Sequence, residues 1–376
     1  MKSPRLRYVD PILLGSILLL ICIGTVMVYS SSSLMAAEHF SNHAHYLKRH
    51  LVMLGVGFIA MFVALLIPMH VLKKISLPLF GLCILLLLTV LVTSLGVEAK
   101  HATRWLSLGG FRFQPSEMIK PWFILFTAGY IERMGPKIQS FKQGLLPLLC
   151  MQGFVLLLIL KQPDFGTTVT IGSVLILMVF VAGAKLEHLL ALVGSGLITM
   201  AYLIFSTEYR RKRFFSFLNP WADPQGDGFQ MIQSLIAFER GGLAGQGLGD
   251  GTQKLLYLPE AHTDFIFSVI GEELGFIGCA AVVILFFIVM VQGIRLSIRI
   301  QDQYASILAM GITVLISLQG LFNMGVVMGL LPTKGLTLPL VSYGGSSLIS
   351  TMFSLGLLLS LSSSISHQKA KISRVL

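Results

Sequence analysis

The stretch 258–275, LPEAHTDFIFSVIGEELG, sets three ionisable side chains on alternate positions, Glu260, His262 and Asp264, and then turns apolar. Two more carboxylates, Glu272 and Glu273, follow about two turns into the apolar run if that run is helical. An acid at the mouth of a membrane-length helix is costly unless it has a partner or a task. We assign the chemistry to Asp264. The alternate spacing of Glu260, His262 and Asp264 suits a strand rather than one helix face, and no second cluster completes a tetrahedral metal set. No GxSxG elbow is present for a Ser/His/Asp hydrolase. What remains is one carboxylate with many cations on its own side of the membrane. That combination suits proton abstraction from a hydroxyl, to which a positioned base contributes about 10²–10⁴-fold. Fixed cations would stabilise a departing phosphate.

The frame for such a site is written in the composition. Of 376 residues, 55% are hydrophobic and 12% charged, and the mean hydropathy is +0.81. A soluble domain of this length would need far more surface charge. The apolar residues come in blocks of about 20, the length that crosses a bilayer as helix. The expected fold is therefore an all-α polytopic membrane protein. Ten transmembrane helices are expected, at 11–31, 49–68, 76–95, 116–131, 145–160, 166–183, 187–205, 265–291, 304–328 and 344–363. The first is too long for a signal-peptide core and reads as an uncleaved span. The chain forms a single membrane domain, with a large extracytoplasmic loop, 206–264, between helices 7 and 8. An even count puts both termini on one side. Lys2, Arg5, Arg7, Lys369, Lys371 and Arg374 favour the cytoplasm. Once the long loop is discounted, the remaining Lys and Arg also lie in excess on that side. The net charge of +11 calls for anionic neighbours, lipid headgroups before phosphate-bearing substrate, with no nucleic acid expected. Cys22, Cys83, Cys150 and Cys279 each lie inside an apolar block and read as packing residues.

The loops on the Asp264 side carry the remaining polar signals. In RWLSLGGFRFQPSE, Gly109-Gly110 reads as a turn between short extended pieces, and Pro115 suits the first turn of the fourth span. Glu117 and Lys120, at i and i+3, can pair on one helix face, either as an ion pair that lets two charges enter a helix or as a cavity wall. Asp164, in QPDFG, heads the sixth span, where a carboxylate suits the helix N-terminus. The long loop contains the basic run Arg210–Arg213, an amphipathic helix expected over 229–238, and GGLAGQGLGDG at 241–251. No strand precedes that glycine run, so it is not a dinucleotide fingerprint; it suits close backbone approach in a packed loop. The run 330–347, with two prolines and Lys334, reads as buried non-helical backbone, tolerated where protein covers it or it lines a wet cavity.

PSEMIK, QPDFG, FLNPWADPQGDGFQ, LPEAHTDFIFSVIGEELG and PTKGLTLPLVSYGGSS, in that order, resemble the SEDS family of bacterial peptidoglycan polymerases over essentially the whole chain. Trp221, Ala261 and the segment 233–238 resemble its cell-division branch more than its elongation branch, with a sporulation branch as a further alternative. The resemblance implies the ten-span SEDS fold and a peptidoglycan glycosyltransferase that polymerises lipid II during septal cell-wall synthesis. Lipid II is a disaccharide-pentapeptide on undecaprenyl pyrophosphate. The resemblance puts the family's essential acid on Asp264, its Glu/Lys pair on Glu117 and Lys120, and its second Asp on Asp164. On that reading Lys120, Lys334, Arg104, Arg210 and Arg213 are candidates to neutralise the pyrophosphate, with Glu117 holding Lys120. Glu260 and His262 are candidate substrate contacts, and Glu272 and Glu273 make structural pairs inside the bundle. A divalent cation, Mg²⁺ or Mn²⁺, is implied, with no organic cofactor. The implied partners are the growing glycan strand, a class B penicillin-binding protein and other membrane proteins of the divisome, at the septum of the plasma membrane. A transporter that flips lipid II is the alternative of a different class, because embedded charges and proline-broken helices suit it too.

Overall fold

Apolar blocks of bilayer length must satisfy their own backbone hydrogen bonds, and this chain does so with helices. The computed structural model describes residues 9–92, 96–99, 102–108, 111–226, 228–254, 261–332 and 335–372. In chain order the helices are α1 (Pro11–Phe40), α2 (His45–Leu66), α3 (Met69–Val92), α4 (Pro115–Met134), α5 (Leu146–Lys161), α6 (Phe165–Val181), α7 (Leu186–Phe205), α8 (Glu208–Leu218), α9 (Phe229–Gly241), α10 (Ile266–Arg299), α11 (Gln303–Val327) and α12 (Gly345–Ile372). Eight of these, α1, α2, α3, α5 with its lead-in from Phe141, α7, α10, α11 and α12, are long and apolar enough to cross a membrane. Helix α6 is apolar but has 17 residues, and the 20 residues of α4 include Glu117, Lys120, Glu132 and Arg133. Of the ten expected spans, α4 and α6 are the two that fall outside these eight. The surface turned away from the bundle is oily: Ile59, Ile198 and Ile277 are each about two-thirds exposed or more (66%, 73% and 65%). An apolar surface of that extent belongs against lipid. The chain is a multi-pass membrane protein.

Helices α11 and α12 lie in the interior and α7 at the periphery, with 67%, 83% and 6% of their apolar windows buried. Asp10 opens α1 by accepting from the N–H groups of Ile12 and Leu13, and Pro11 and Pro115 stand at helix positions where a missing N–H costs nothing. The extended pieces expected around Gly109-Gly110 are strands β2 (Ala102–Leu108) and β3 (Phe111–Phe113), which pair antiparallel with Leu108 opposite Phe111. A third strand, β1 (Gly96–Ala99), pairs with β2. The glycine turn itself lies outside the described residues.

The segment 206–254 is not an open loop but two helices and a docked turn. Helix α8 takes up the basic run, and α9 is the expected amphipathic helix, ending at Gly241. The glycine run then packs on a break in α10. Gly275 has φ 65° and ψ −163°, a backbone that glycine alone adopts at little cost. The helical bonds lost there are remade with the run: Phe276 and Ile277 donate to the carbonyls of Gly242 and Leu243 at 2.9 and 3.2 Å. In return Gln246 and Gly247 donate to the carbonyls of Glu272 and Glu273 at 2.9 and 3.1 Å. A Cβ at Gly241 would sit 1.8 Å from the carbonyl of Gly271. Gly241, and Gly245 with its Cβ position 2.1 Å from the carbonyl of Glu273, are therefore there for backbone-to-backbone approach.

Candidate active site at one end of the bundle

Four helices begin at the same end of the molecule. The N–H of Gln114, just before α4, donates to Ser346 Oγ in the first turn of α12 at 3.0 Å. Ser116 Oγ in α4 donates to Asp164, the N-cap of α6, at 3.0 Å. Gly166 in α6 lies against Leu336, since an added Cβ would meet that side chain at 3.1 Å. Leu336 in turn is tied through Asn323 to Asp264, one residue before the N-cap of α10. Helix N-termini carry partial positive charge, so their convergence favours an anion at this end.

Asp264 is half-buried and Phe265 after it is buried. Its backbone is held from α11: Asn323 Nδ2 donates to the carbonyl of Asp264 at 2.8 Å and also to the carbonyl of Leu336. The approach is close on the other side too, because a Cβ at Gly335 would lie 2.8 Å from Asp264 Oδ2. The loop 335–344 is thus the non-helical backbone expected from its prolines, and protein covers much of it: Leu336, Leu338, Leu340 and Val341 are buried. Leu340 is held at φ 65°, which for a residue with a side chain costs about 1–2 kcal/mol and needs enforcing by its surroundings. His262 is buried. Its carbonyl accepts from the N–H of Tyr343 at 2.9 Å, and its ring packs with those of Tyr46 and Tyr343, centroids 4.8 and 5.5 Å apart. Burial pushes the Tyr343 hydroxyl above the usual phenol range, while Arg49 pulls it back.

The Glu117/Lys120 pair forms inside the bundle. Lys120 Nζ donates to Glu117 Oε1 at 2.6 Å and to Gln319 Oε1 at 3.3 Å, and both charged residues are buried. Gln319 Nε2 reaches the carbonyl of Thr337 at 3.3 Å, and the Thr337 hydroxyl lies 2.8 Å from that of Ser347. Ser350 Oγ donates to the carbonyl of Glu117 at 2.8 Å. A single polar chain therefore runs from α4 through α11 into the loop beside Asp264. Asp164 is buried and takes its bonds from protein: the N–H of Thr167 at 3.2 Å, Ser116 Oγ, and Gln114 Nε2 at 3.3 Å.

Among the cations expected here, Arg210 is half-buried in α8, donates to the carbonyl of Leu203 at 3.2 Å and lies 6.0 Å from the centre of the Phe165 ring, next to Asp164. Arg213 is half-buried on the same helix. Arg104 is on β2, but its side chain, like the whole of Glu260 and Lys334, lies outside the described residues. Glu272 and Glu273 make buried structural contacts, as expected, with the segment 249–254. Sequence reasoning missed Asn323, Gln319 and Thr337. Gln319 and Asn323 left a signal: two amide side chains one turn apart in an apolar helix are expensive in lipid and must face something polar.

Among the described residues no group of three or more His, Cys, Asp or Glu could hold a metal ion. The oxygens of Asp164 already accept from protein donors. These residues do not compose a resident divalent-cation site.

The chain matches the family model for the FtsW, RodA and SpoVE proteins, described as "Cell cycle protein", over residues 11–367. It is 44% identical over 356 residues to a protein of Geobacter metallireducens named "Probable peptidoglycan glycosyltransferase FtsW", covering 95% of each chain. It is 42% identical to the "Stage V sporulation protein E" of Bacillus subtilis, covering 94% of this chain and 96% of that one. Among solved structures it resembles one described as "Structural coordination of polymerization and crosslinking by a peptidoglycan synthase complex". The TM-score is 0.77 at 33% identity, with 94% of this chain and 97% of that one covered.

Proposed function

The chain belongs to the FtsW/RodA/SpoVE family of cell cycle proteins, and from that footing we propose that it is a peptidoglycan glycosyltransferase which joins lipid II units into glycan strands during septal wall synthesis. The single observation that carries the site assignment is Asp264 itself: a half-buried acid, clamped through its backbone by Asn323, at the end of the bundle where four helices begin.

Asp264 takes the proton of the GlcNAc 4-hydroxyl of the acceptor. That oxygen attacks C1 of the MurNAc at the end of the growing strand. The new glycosidic bond forms on the face opposite the leaving group, so α becomes β, and undecaprenyl pyrophosphate departs with the bonding pair. The helix N-termini beside Asp264 and Asp164 supply fixed positive potential where the pyrophosphate charge develops. Arg210, near the start of α6, and Lys120, reaching the site through Gln319, add to it. No step is routed through a metal. A cation that accompanies the pyrophosphate would take most of its ligands from phosphate oxygens and water, as Mg²⁺ commonly does.

On this reading α4 and α6 complete ten crossings. Both termini lie in the cytoplasm, supported by the basic residues at each end. A class B penicillin-binding protein is the partner that crosslinks the strands, supported by the likeness to a solved complex in which polymerisation and crosslinking are coordinated. Other divisome membrane proteins place it at the septum.

The deciding experiment gives purified wild-type and Asp264→Asn protein lipid II in detergent, with no bilayer to cross. Wild type makes glycan strands and the variant makes essentially none. Strands from Asp264→Asn at near wild-type rate refute the assignment of the base.

A further inference from the structure

Two acids that the chemistry above does not use sit on α10 just before its break at Gly275. The side chain of Glu273 is 0% exposed, and that of Lys254, which pairs with it, is 3% exposed. The Glu273 carboxylate also accepts from Ser30 Oγ of α1 at 2.7 Å and from the N–H of Gly249 at 3.2 Å. Lys254 Nζ completes the ring by donating to Ser30 Oγ at 3.0 Å and to the carbonyl of Gly249 at 2.8 Å. Beside it, Glu272 accepts from the N–H and hydroxyl of Thr252 at 2.8 and 3.1 Å and from the N–H of Gln253 at 3.2 Å. Residues 249–254 are wound over two adjacent carboxylates, with α1 behind them.

A buried ion pair is a weak source of stability, because apolar residues of similar size often do as well. What it does supply is one geometry. Lys254 lies ten residues before Asp264 and Glu273 nine residues after it. The pair therefore closes, at its base, the segment that carries Asp264. The helix alone cannot hold that end rigid, since its backbone ladder is interrupted at Gly275.

We propose that the Lys254–Glu273 ion pair, seated on Ser30 and reinforced by Glu272, is a latch that positions Asp264 for glycosyl transfer. Lys254 and Glu273 are positioning residues; neither meets the transferred proton. The latch rests on the reading of Asp264 as the base.

The test uses the full-length protein in detergent with lipid II. It compares wild type, Lys254→Met, Glu273→Gln, the double variant and Asp264→Asn. Two readouts are taken: amide exchange over residues 246–253 and the separate kcat and KM of polymerisation. In Lys254→Met, exchange over 246–253 speeds up by about tenfold or more, and kcat falls by about tenfold or more while KM stays within about threefold. The double variant stays near Lys254→Met on both readouts: no charge is left alone in the bundle, but the cross-link that fixes the geometry is gone in both. Asp264→Asn makes no strands but keeps wild-type exchange. Unchanged exchange in Lys254→Met overturns the latch. So does faster exchange with unchanged kcat, or a double variant that returns to wild type on both readouts. If Lys254→Met does not fold, Ser30→Ala removes one donor and keeps both charges. It moves both readouts the same way by less, and no movement there also overturns the proposal. Full activity in Asp264→Asn sinks the base and the positioning claim with it, and the exchange data still report whether the pair holds the loop.

Discussion

Asn323 holds Asp264 through its backbone: the Asn323 amide donates to the Asp264 carbonyl at 2.8 Å and to that of Leu336. Two non-helical stretches of backbone are joined by one buried side chain. The acid is thus fixed by its main chain, and its Oδ2 lies close against Gly335, where an added Cβ would stand 2.8 Å away.

Replacing that side chain should cost rate more than substrate binding. Asn323→Ala leaves two carbonyls without their donor, at about 1–3 kcal/mol for each buried group. A misplacement of the acid by about 1 Å is worth about 10²-fold in rate. Asn323→Asp should be worse than Asn323→Ala, because its oxygens would face two carbonyl oxygens. Polymerisation rates and melting temperatures of both variants check the order.

For Lys120 the expectation is set by what is left behind. Lys120→Met strands the buried Glu117 carboxylate, which costs about 3–5 kcal/mol. The double variant Lys120→Met/Glu117→Gln should recover most of the melting temperature. If Lys120 contributes positive potential at the pyrophosphate, the double variant recovers stability without recovering polymerisation. Recovery of both would make the pair structural only.

Gly275 admits no side chain. Its φ of 65° disfavours one, and a Cβ would lie 2.3 Å from the N–H nitrogen of Gly245. Gly275→Ala therefore costs at least about 1–3 kcal/mol and pushes the glycine run off α10. Limited proteolysis should cut 242–254 faster in the variant than in wild type.

Tyr343 gives a pH-dependent expectation. Burial raises its folded pKa above the unfolded value, with Arg49 opposing. The neutral phenol therefore contributes stability that is fully present below the unfolded pKa of about 10 and is lost as pH rises through the folded one. Wild type should lose more melting temperature than Tyr343→Phe between neutral pH and the alkaline side of that value. Equal losses would show that Tyr343 does not couple to folding.

From the sequence alone one could read the membrane class and most helices, and single out Asp264 as a candidate, because these are local properties. Apolar block length selects helix, prolines mark where helix cannot continue, and a carboxylate among apolar residues stands out by its desolvation cost. Glu117 and Lys120 were legible for the same reason, being three apart on one helix. Only tertiary structure decided what those residues meet. Asn323 and Asp264 are 59 positions apart, Ser30 and Glu273 243, and Gln114 and Ser346 232. Spacing carries no information about contacts at such separations. They exist because packing α11, α1 and α12 against the ends of α4, α6 and α10 brings polar groups together where lipid would leave each of them unsatisfied.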